Sequence, residues 1–310
     1  MKLLITGGAG FLGSNLSESL LNMGHKVVAL DNLYTGSLLN IEHLLRLKNF
    51  EFINHDVNAP IQINVDGIFN FACPASPLHY QKDPIRTFYT CVFGSHNMLN
   101  LARENNVRIL QASTSEIYGD PRISPQVESY WGNVNPVGIR SCYDEGKRAA
   151  ETLFSDFHSM LRVDIRIARI FNTYGPKLAL NDGRVVSNFI IQALKSQPLT
   201  IYGDGLQVRS LCYVDDLIQG VIKLFFSEKY DGPINLGNPQ PITMVDLANE
   251  IISLTKSKSK IVYLPLPEDD PISRIPDISQ AKKTLDWEPH ISRAVGLEKT
   301  VRYFKSTLKL

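Results

Sequence analysis

The chain begins "KLLITGGAGFLGSNLSESLLNMGHKVVALD", and no other stretch limits its fold so strongly. It runs apolar strand, glycine turn, amphipathic helix, second apolar strand and acid, which predicts one βαβ unit. Gly7, Gly10 and Gly13 keep a G-x-x-G-x-x-G spacing. Gly7 permits the tight turn, Gly10 lets the backbone approach a pyrophosphate, and Gly13 lets helix and strand pack closely. Together with Phe11 and Leu12 they would set that pyrophosphate on the helix N-terminus, where free amides and the dipole favour an anion. Asp31, followed by Asn32, ends the second strand. Its carboxylate can accept hydrogen bonds from the adenosine ribose hydroxyls and would repel a 2'-phosphate. The following "NLYTGSLLN" supplies no Lys or Arg to receive such a phosphate, so NAD is expected rather than NADP.

The alternation continues through "FEFINHDV", "DGIFNFAC", "VRILQAST" and "VDIRIARIFN", with helical stretches between them. Strands separated by helices imply an α/β Rossmann fold, a doubly wound parallel sheet with helices on both faces and ligands at the carboxyl ends of its strands. Asp56 and Val57, then Ala72 and Cys73, fall at such ends and are expected to line the adenine and ribose. Past residue 172 prolines and short strands take over, with helical patterns in "VVSNFIIQALKS" and "MVDLANEIISLTK". The expected division is a cofactor domain over 1–171, rejoined by about 211–237, and a smaller α/β substrate domain over 172–210 and 238–310.

Thirty-two basic against 31 acidic residues leave a net charge of +1, which offers no field for nucleic acid or an anionic membrane. The four cysteines, Cys73, Cys91, Cys142 and Cys212, have no C-x-x-C spacing and no histidine cluster nearby. They read as reduced thiols in a cytoplasmic protein, and no metal is expected. There is no signal-like or membrane-spanning stretch, so a soluble protein is expected.

A proton-moving pair stands in "RSCYDEGKRAAETLFSDF". Tyr143 and Lys147 are four apart and so share one helix face, off the core stripe of Ala150, Leu153, Phe154 and Phe157. The fifth strand ends in "ASTSEIYGD", which puts Thr114, Ser115 and Glu116 at the carboxyl edge of the sheet. Oxidising a carbinol by hydride transfer to NAD requires its hydroxyl to lose a proton. A phenol is a poor base at neutral pH unless a cation favours its anion, which Lys147 and the positive nicotinamide are expected to do. Thr114 can orient the reacting hydroxyl.

"TGGAGFLG", "STSEIYG" and "YDEGK" resemble the extended short-chain dehydrogenase/reductases, which act on nucleotide sugars. Within that family, "ACPASPLHYQKDP", "SPQVESYWGNVNPVGIRSCYDEGKRAAETL", "PLTIYGDGLQVRSLCYVDDLIQG" and "DDPISRIPDISQAKKTLDWEP" are similar to the UDP-glucuronate decarboxylase branch, and the similarity runs nearly end to end. The resemblance implies conversion of UDP-glucuronate to UDP-xylose on a recycled NAD. It puts Glu116 and Arg209 near C5 and the sugar carboxylate, for which the planar and permanently charged fork of Arg209 is a suitable partner. It also puts Asn172 and Arg274 on the diphosphate and ribose, with Arg184 and Tyr202 at the uridine, Ser115 near the sugar, and a homodimer formed through the Tyr143 helix and "GSHNMLNLARE". Met98, Leu99 and Leu101 could give the latter an apolar face, and ordinary intrachain core explains them equally well.

Two further readings stay open. A UDP-glucuronate 4-epimerase would keep the carboxylate, and a non-catalytic NAD sensor would not need Tyr143 and Lys147. A 4,6-dehydratase is disfavoured because Ser115 stands where such enzymes carry an aspartate. The chain departs from the family pattern at Cys91, where asparagine is expected, at Val208 and Leu211, where threonine and phenylalanine are usual, and in lacking a basic residue after Gly36.

Overall fold

The computed structural model describes residues 1–266 and 273–310. Six strands, β1 (Lys2–Thr6), β2 (Lys26–Asp31), β3 (Phe50–Asn54), β4 (Gly67–Asn70), β5 (Ile109–Thr114) and β6 (Ile165–Ile170), join a seventh at Ile234–Leu236 in one sheet. Its order is β3-β2-β1-β4-β5-β6 and then the Ile234 strand, with every neighbouring pair parallel. Strand order reverses between β1 and β4, the crevice where such sheets bind ligands. Continuous apolar runs such as Leu3-Leu4-Ile5 suit strands buried on both faces.

Helices Phe11–Asn22 and Val214–Phe226 pack together on one face, and Ser95–Asn105 and Ser141–Leu161 on the other. Met98, Leu99 and Leu101 lie inside the core of the second face, with Ile109, Phe154 and Ile165. Of the two readings open for them, intrachain core and outward face, they therefore take the first: the helical period locates a buried stripe but not its partner. Polar side chains stitch the carboxyl edge. The Thr6 hydroxyl donates to Asn70 Oδ1 at 2.8 Å, Asn70 Nδ2 donates to Gln111 Oε1 at 2.7 Å, and the Phe71 amide donates to Thr6 Oγ1 at 3.0 Å. With all three side chains buried, each bond satisfies a group that would otherwise be costly to desolvate.

The remaining elements overlie that edge. Leu199–Tyr202 pairs in parallel with Ile261–Leu264, and Val208–Ser210 lies between Pro241–Thr243 and Ser273–Arg274. Beside the helices Val185–Leu194 and Met244–Thr255 runs a long C-terminal helix, Arg293–Leu308, absent from the sequence expectation. Its signals are Ser292, which caps the Val295 amide, and buried Leu297, Val301 and Phe304. The beginning of the late family motif, Asp269 to Ile272, lies outside the described residues.

Candidate active site

A cavity of about 1410 Å³ runs along the carboxyl edge of the sheet and under the overlying elements. At one end the glycine turn leads into the Phe11–Asn22 helix. Gly7 has φ +67°, and a Cβ on Gly13 would stand 2.1 Å from the Gly7 carbonyl oxygen, so neither position tolerates a side chain without moving the backbone. The helix has Gly10 as its N-cap, no side-chain cap and no acid in its first turn, which leaves its leading amides to an anion. Asp31 is held rigidly, accepting from the Ala9 amide at 3.0 Å and the Leu33 amide at 2.8 Å. Burial raises its pKa, and those two amides oppose the shift. Gly7, Gly10, Phe11, Leu12 and Gly13 line the cavity, as do Asp31, Asn32, Val57 and Ala72.

Asp56 does not. Its carboxylate is turned to Arg86 Nη2 at 2.8 Å and Asn32 Nδ2 at 3.0 Å, and its pKa is lowered: burial works to raise it, but the Asn58 amide, Asn32 and Arg86 outweigh that. Arg86 itself lines the cavity, with its guanidinium carbon 4.4 Å from the Tyr34 ring centroid. The loop after Asp31 has no cation of its own, but a distant segment brings one beside it. Asp31→Ala should weaken NAD and narrow its advantage over NADP, because the ribose acceptor and its repulsion of a 2'-phosphate disappear together while Arg86 stays nearby. Dissociation constants for both cofactors test this, and an unchanged preference would assign the ribose to another acid.

At the centre, β5 and the Ser141–Leu161 helix bring Thr114, Tyr143 and Lys147 together, all buried and all lining the cavity. The Thr114 side chain lies beside the Tyr143 phenol and accepts from the Glu116 amide at 3.2 Å, so it both caps a turn and faces the site. Lys147 Nζ donates to the Ala112 carbonyl at 2.8 Å and lies 5.8 Å from the Tyr143 ring centroid. In the protein alone the Tyr143 phenol lies well above its ordinary pKa, whereas the expected lowering counts on the nicotinamide charge as well as Lys147. Burial is the main cause and nearby Cys73 adds to it, while Thr114 and Arg184 oppose it. In the protein alone the phenol is therefore held protonated. Tyr80, which sequence reasoning passed over, stacks on Tyr143 with centroids 5.1 Å apart and planes within 5°.

Beyond the tyrosine lies a cluster of opposite charges. Glu116 pairs with Arg140 Nη2 and with Arg274 Nη2, the latter at 3.0 Å. Burial pushes Glu116 upward, but Arg274, Arg140 and Arg209 together hold it below its usual value. Arg274 also donates to the Ser115 carbonyl and is nearly inaccessible. Asp144, 3.8 Å from Arg140 Nε, is pushed up to about 7 by burial and by Glu116. Arg209, on the overlying strand Val208–Ser210, lines the same cavity. Arg140 was not singled out from sequence; its place just before the Tyr143 helix was the available signal. Asn172, Arg184 and exposed Tyr202 line the outer reach, where Arg184 Nη2 donates to the Ala75 carbonyl at 2.8 Å. Of the departures from the family pattern, Leu211 lines the cavity, whereas Cys91 is buried with its sulfur 3.3 Å from that of Cys73. Among the described residues no cluster of His, Cys, Asp and Glu could hold a metal, and no helix is long and apolar enough to cross a membrane.

A glycine cradle, a fixed ribose acceptor and a Thr-Tyr-Lys site opening into one cavity define a nucleotide-dependent oxidoreductase fold. Residues 3–237 match the model of the NAD dependent epimerase/dehydratase family, and the chain belongs to that family, with NAD as its cofactor. It is 51% identical to UDP-glucuronic acid decarboxylase 4 of Arabidopsis thaliana, over 98% of this chain and 69% of that one. It is 50% identical to UDP-glucuronic acid decarboxylase 1 of Danio rerio, over 99% of this chain and 73% of that one. Among solved structures, UDP-glucuronic acid 4-epimerase from Bacillus cereus, in complex with UDP-glucuronic acid and NAD, superposes with a TM-score of 0.90 at 27% identity, covering 99% of this chain and all of that one.

Proposed function

We propose that the protein decarboxylates UDP-glucuronate to UDP-xylose. The observation that carries this reading is the Glu116 cluster, in which Arg140, Arg274 and Arg209 meet beside Tyr143 in one cavity. Arginines converging on one end of the cavity, with planar and permanently charged forks, suit the recognition of a sugar carboxylate. The identity to named decarboxylases points the same way. Residues 1–171 with about 211–237 form the cofactor half in this reading, and 172–210 with 238–310 hold the nucleotide sugar.

Gly7, Gly10, Gly13 and Asp31 would hold NAD, which when bound would supply a reversible hydride acceptor for C4 and a positive charge at the hydride site. The Tyr143 phenol, raised by burial, becomes a base only when positive charge gathers there, and Lys147 supplies the fixed part of it. Tyr143 takes the C4 hydroxyl proton, with Thr114 orienting that hydroxyl. The C4 ketone is β to the carboxylate, so carbon dioxide leaves with the C5–C6 electrons drawn into a C4–C5 enolate. Arg209 positions the carboxylate. Its arrival near Glu116 adds a like charge and raises the Glu116 pKa, so that Glu116 takes up a proton and passes it to C5. Tyr143 then returns its proton to the C4 oxygen. Asn172 and Arg184 contact the nucleotide in this reading, and Tyr202 packs on the uracil. Arg274 is committed to Ser115 and Glu116, and reaches the nucleotide only at the cost of those bonds.

We further place the protein in the cytoplasm as a homodimer. Exposed Phe88 and Tyr89, on the short helix Pro84–Tyr89, and Phe93, on the helical segment Thr90–Gly94, lie on elements packed against the Ser141–Leu161 helix and offer the outward apolar face that Met98, Leu99 and Leu101 do not. A monomeric mass at micromolar concentration refutes the dimer. Mixing the NAD-loaded protein with UDP-glucuronate should release carbon dioxide and yield UDP-xylose. A uronate epimer formed without gas would instead make it a 4-epimerase.

A further inference from the structure

Cys73 and Cys91 are the one pair of thiols whose sulfurs touch among the described residues, 3.3 Å apart although 18 residues separate them in sequence. They differ in access. Cys73 stands at the carboxyl end of β4, half-buried, and lines the cavity. Cys91 lies behind it, 2% exposed, in the Thr90–Gly94 turn. Gly146 of the Tyr143 helix backs Cys91 so closely that a Cβ there would stand 3.0 Å from the Cys91 Cβ. Cys91 is also the residue found where the family resemblance leads one to expect asparagine, so the pair is a property of this chain. Neither cysteine has a part in the hydride chemistry proposed above.

We propose that Cys73 and Cys91 form a reversible dithiol–disulfide site, in which Cys73 meets a hydroperoxide entering through the cavity and Cys91 resolves it. In the first step the Cys73 sulfur attacks the peroxide: an S–O bond forms, the O–O bond breaks, and water leaves from hydrogen peroxide. In the second, the Cys91 sulfur attacks the Cys73 sulfenic acid, an S–S bond forms, the S–O bond breaks, and a second water leaves. Two thiols are oxidised by two electrons as one peroxide is reduced. The sulfurs need only close from 3.3 Å to the roughly 2.0 Å of a disulfide bond. Because Gly146 leaves Cys91 fixed, Cys73 makes most of that movement, away from the cavity.

The local electrostatics agree with these roles. Against the opposing effect of burial, the Cys91 thiol and the Lys147 ammonium hold Cys73 below the usual thiol range, whereas its bond to Cys73 and burial keep Cys91 well above it. A low thiol that reaches a cavity beside a buried partner is the arrangement in which a sulfenic acid is trapped as a disulfide before further oxidation. Bridging also staples segment 74–90, which carries Tyr80 against Tyr143 and Ala75 against Arg184. Turnover therefore falls on oxidation and returns on reduction, and Cys73 is spared the irreversible sulfinic state. Cys142, whose sulfur is turned to the Tyr80 carbonyl, and core-buried Cys212 take no part.

The test is intact-mass and peptide mapping of the full-length protein after treatment with hydrogen peroxide and alkylation of the remaining thiols. The parent should lose two hydrogens, show one Cys73–Cys91 cross-linked peptide, and recover its mass and its turnover with dithiothreitol. Cys91→Asn, or Cys91→Ala if the asparagine variant folds poorly, should form no bridge; its Cys73 should add two or more oxygens that the reductant does not remove. Cys142→Ser should bridge as the parent does. Parent protein in which both thiols remain alkylatable, or in which Cys73 reaches the sulfinic state as fast as in Cys91→Asn, overturns the proposal. The mass reading is indifferent to the sugar nucleotide, so it stands or falls apart from the decarboxylase assignment.

Discussion

Tyr143→Phe lowers turnover of UDP-glucuronate by about 10²–10⁴-fold, the usual contribution of a positioned acid–base group, while UDP-glucuronate still binds. The substitution is nearly isosteric where it matters for packing. The ring remains buried and stacked on Tyr80 at 5.1 Å, so folding should be little affected. Only the hydroxyl is lost, and the neighbouring Thr114 side chain still accepts from the Glu116 amide, so it is not left wholly unpaired. The loss should therefore appear in kcat, with KM and the calorimetric affinity for UDP-glucuronate changed by no more than one hydrogen bond accounts for. Lys147 is the natural control. Its ammonium donates to the Ala112 carbonyl, so Lys147→Met should damage both the position of the helix and the charge beside the phenol. A Tyr143→Phe enzyme turning over within tenfold of the parent would remove Tyr143 from proton transfer.

The parts of the cavity legible in sequence are those built by local rules. A glycine turn between an apolar strand and an amphipathic helix can close in one way, so Gly7, Gly13 and Asp31 could be placed from the first thirty-one residues. Tyr143 and Lys147 are spaced by the helix itself, and Thr114 by the end of β5. What could not be read depends on contacts between distant segments. Arg86 reaches the Asp31 end from a short helix more than fifty residues downstream and draws Asp56 out of the cavity wall by pairing with it. Tyr80 meets Tyr143, and Cys73 meets Cys91, only because the segment after β4 folds back on the Ser141–Leu161 helix. Burial is likewise invisible to spacing: it holds the Tyr143 phenol high in the protein alone, so the lowering expected from Lys147 and the nicotinamide together has that much more to offset. The Ile234–Leu236 strand, pairing with β6, lies in the 211–237 stretch expected to return to the cofactor domain, but three residues carry too little pattern to be read as a strand by themselves.

Oxidation and decarboxylation should come apart when the charged cluster is altered and the hydride site is left intact. Glu116→Gln keeps the shape of the side chain and its place between Arg140 and Arg274, but it can neither ionise nor carry a proton to C5. Arg209→His removes a permanent cation from the cavity wall opposite. If these residues serve C5 and its carboxylate, both variants should release carbon dioxide at least tenfold more slowly, while NAD affinity, set at the glycine and Asp31 end, stays near that of the parent. Thr114, Tyr143 and Lys147 remain to oxidise C4. Reduced cofactor should then build up on mixing with UDP-glucuronate, visible as absorbance that decays no faster than carbon dioxide appears. Glu116→Gln also leaves Arg140 and Arg274 without their carboxylate, so a drop in melting temperature is expected for it and does not by itself decide its role. Arg209→His is the sharper case. If Arg209 acts only as a tie between the overlying strand and the sheet, its loss should lower stability and slow every step alike, with no reduced cofactor accumulating. An Arg209→His protein that folds normally and releases carbon dioxide at the parent rate excludes Arg209 from the chemistry. Arg140, already paired with Glu116, then becomes the cation left to receive the sugar carboxylate.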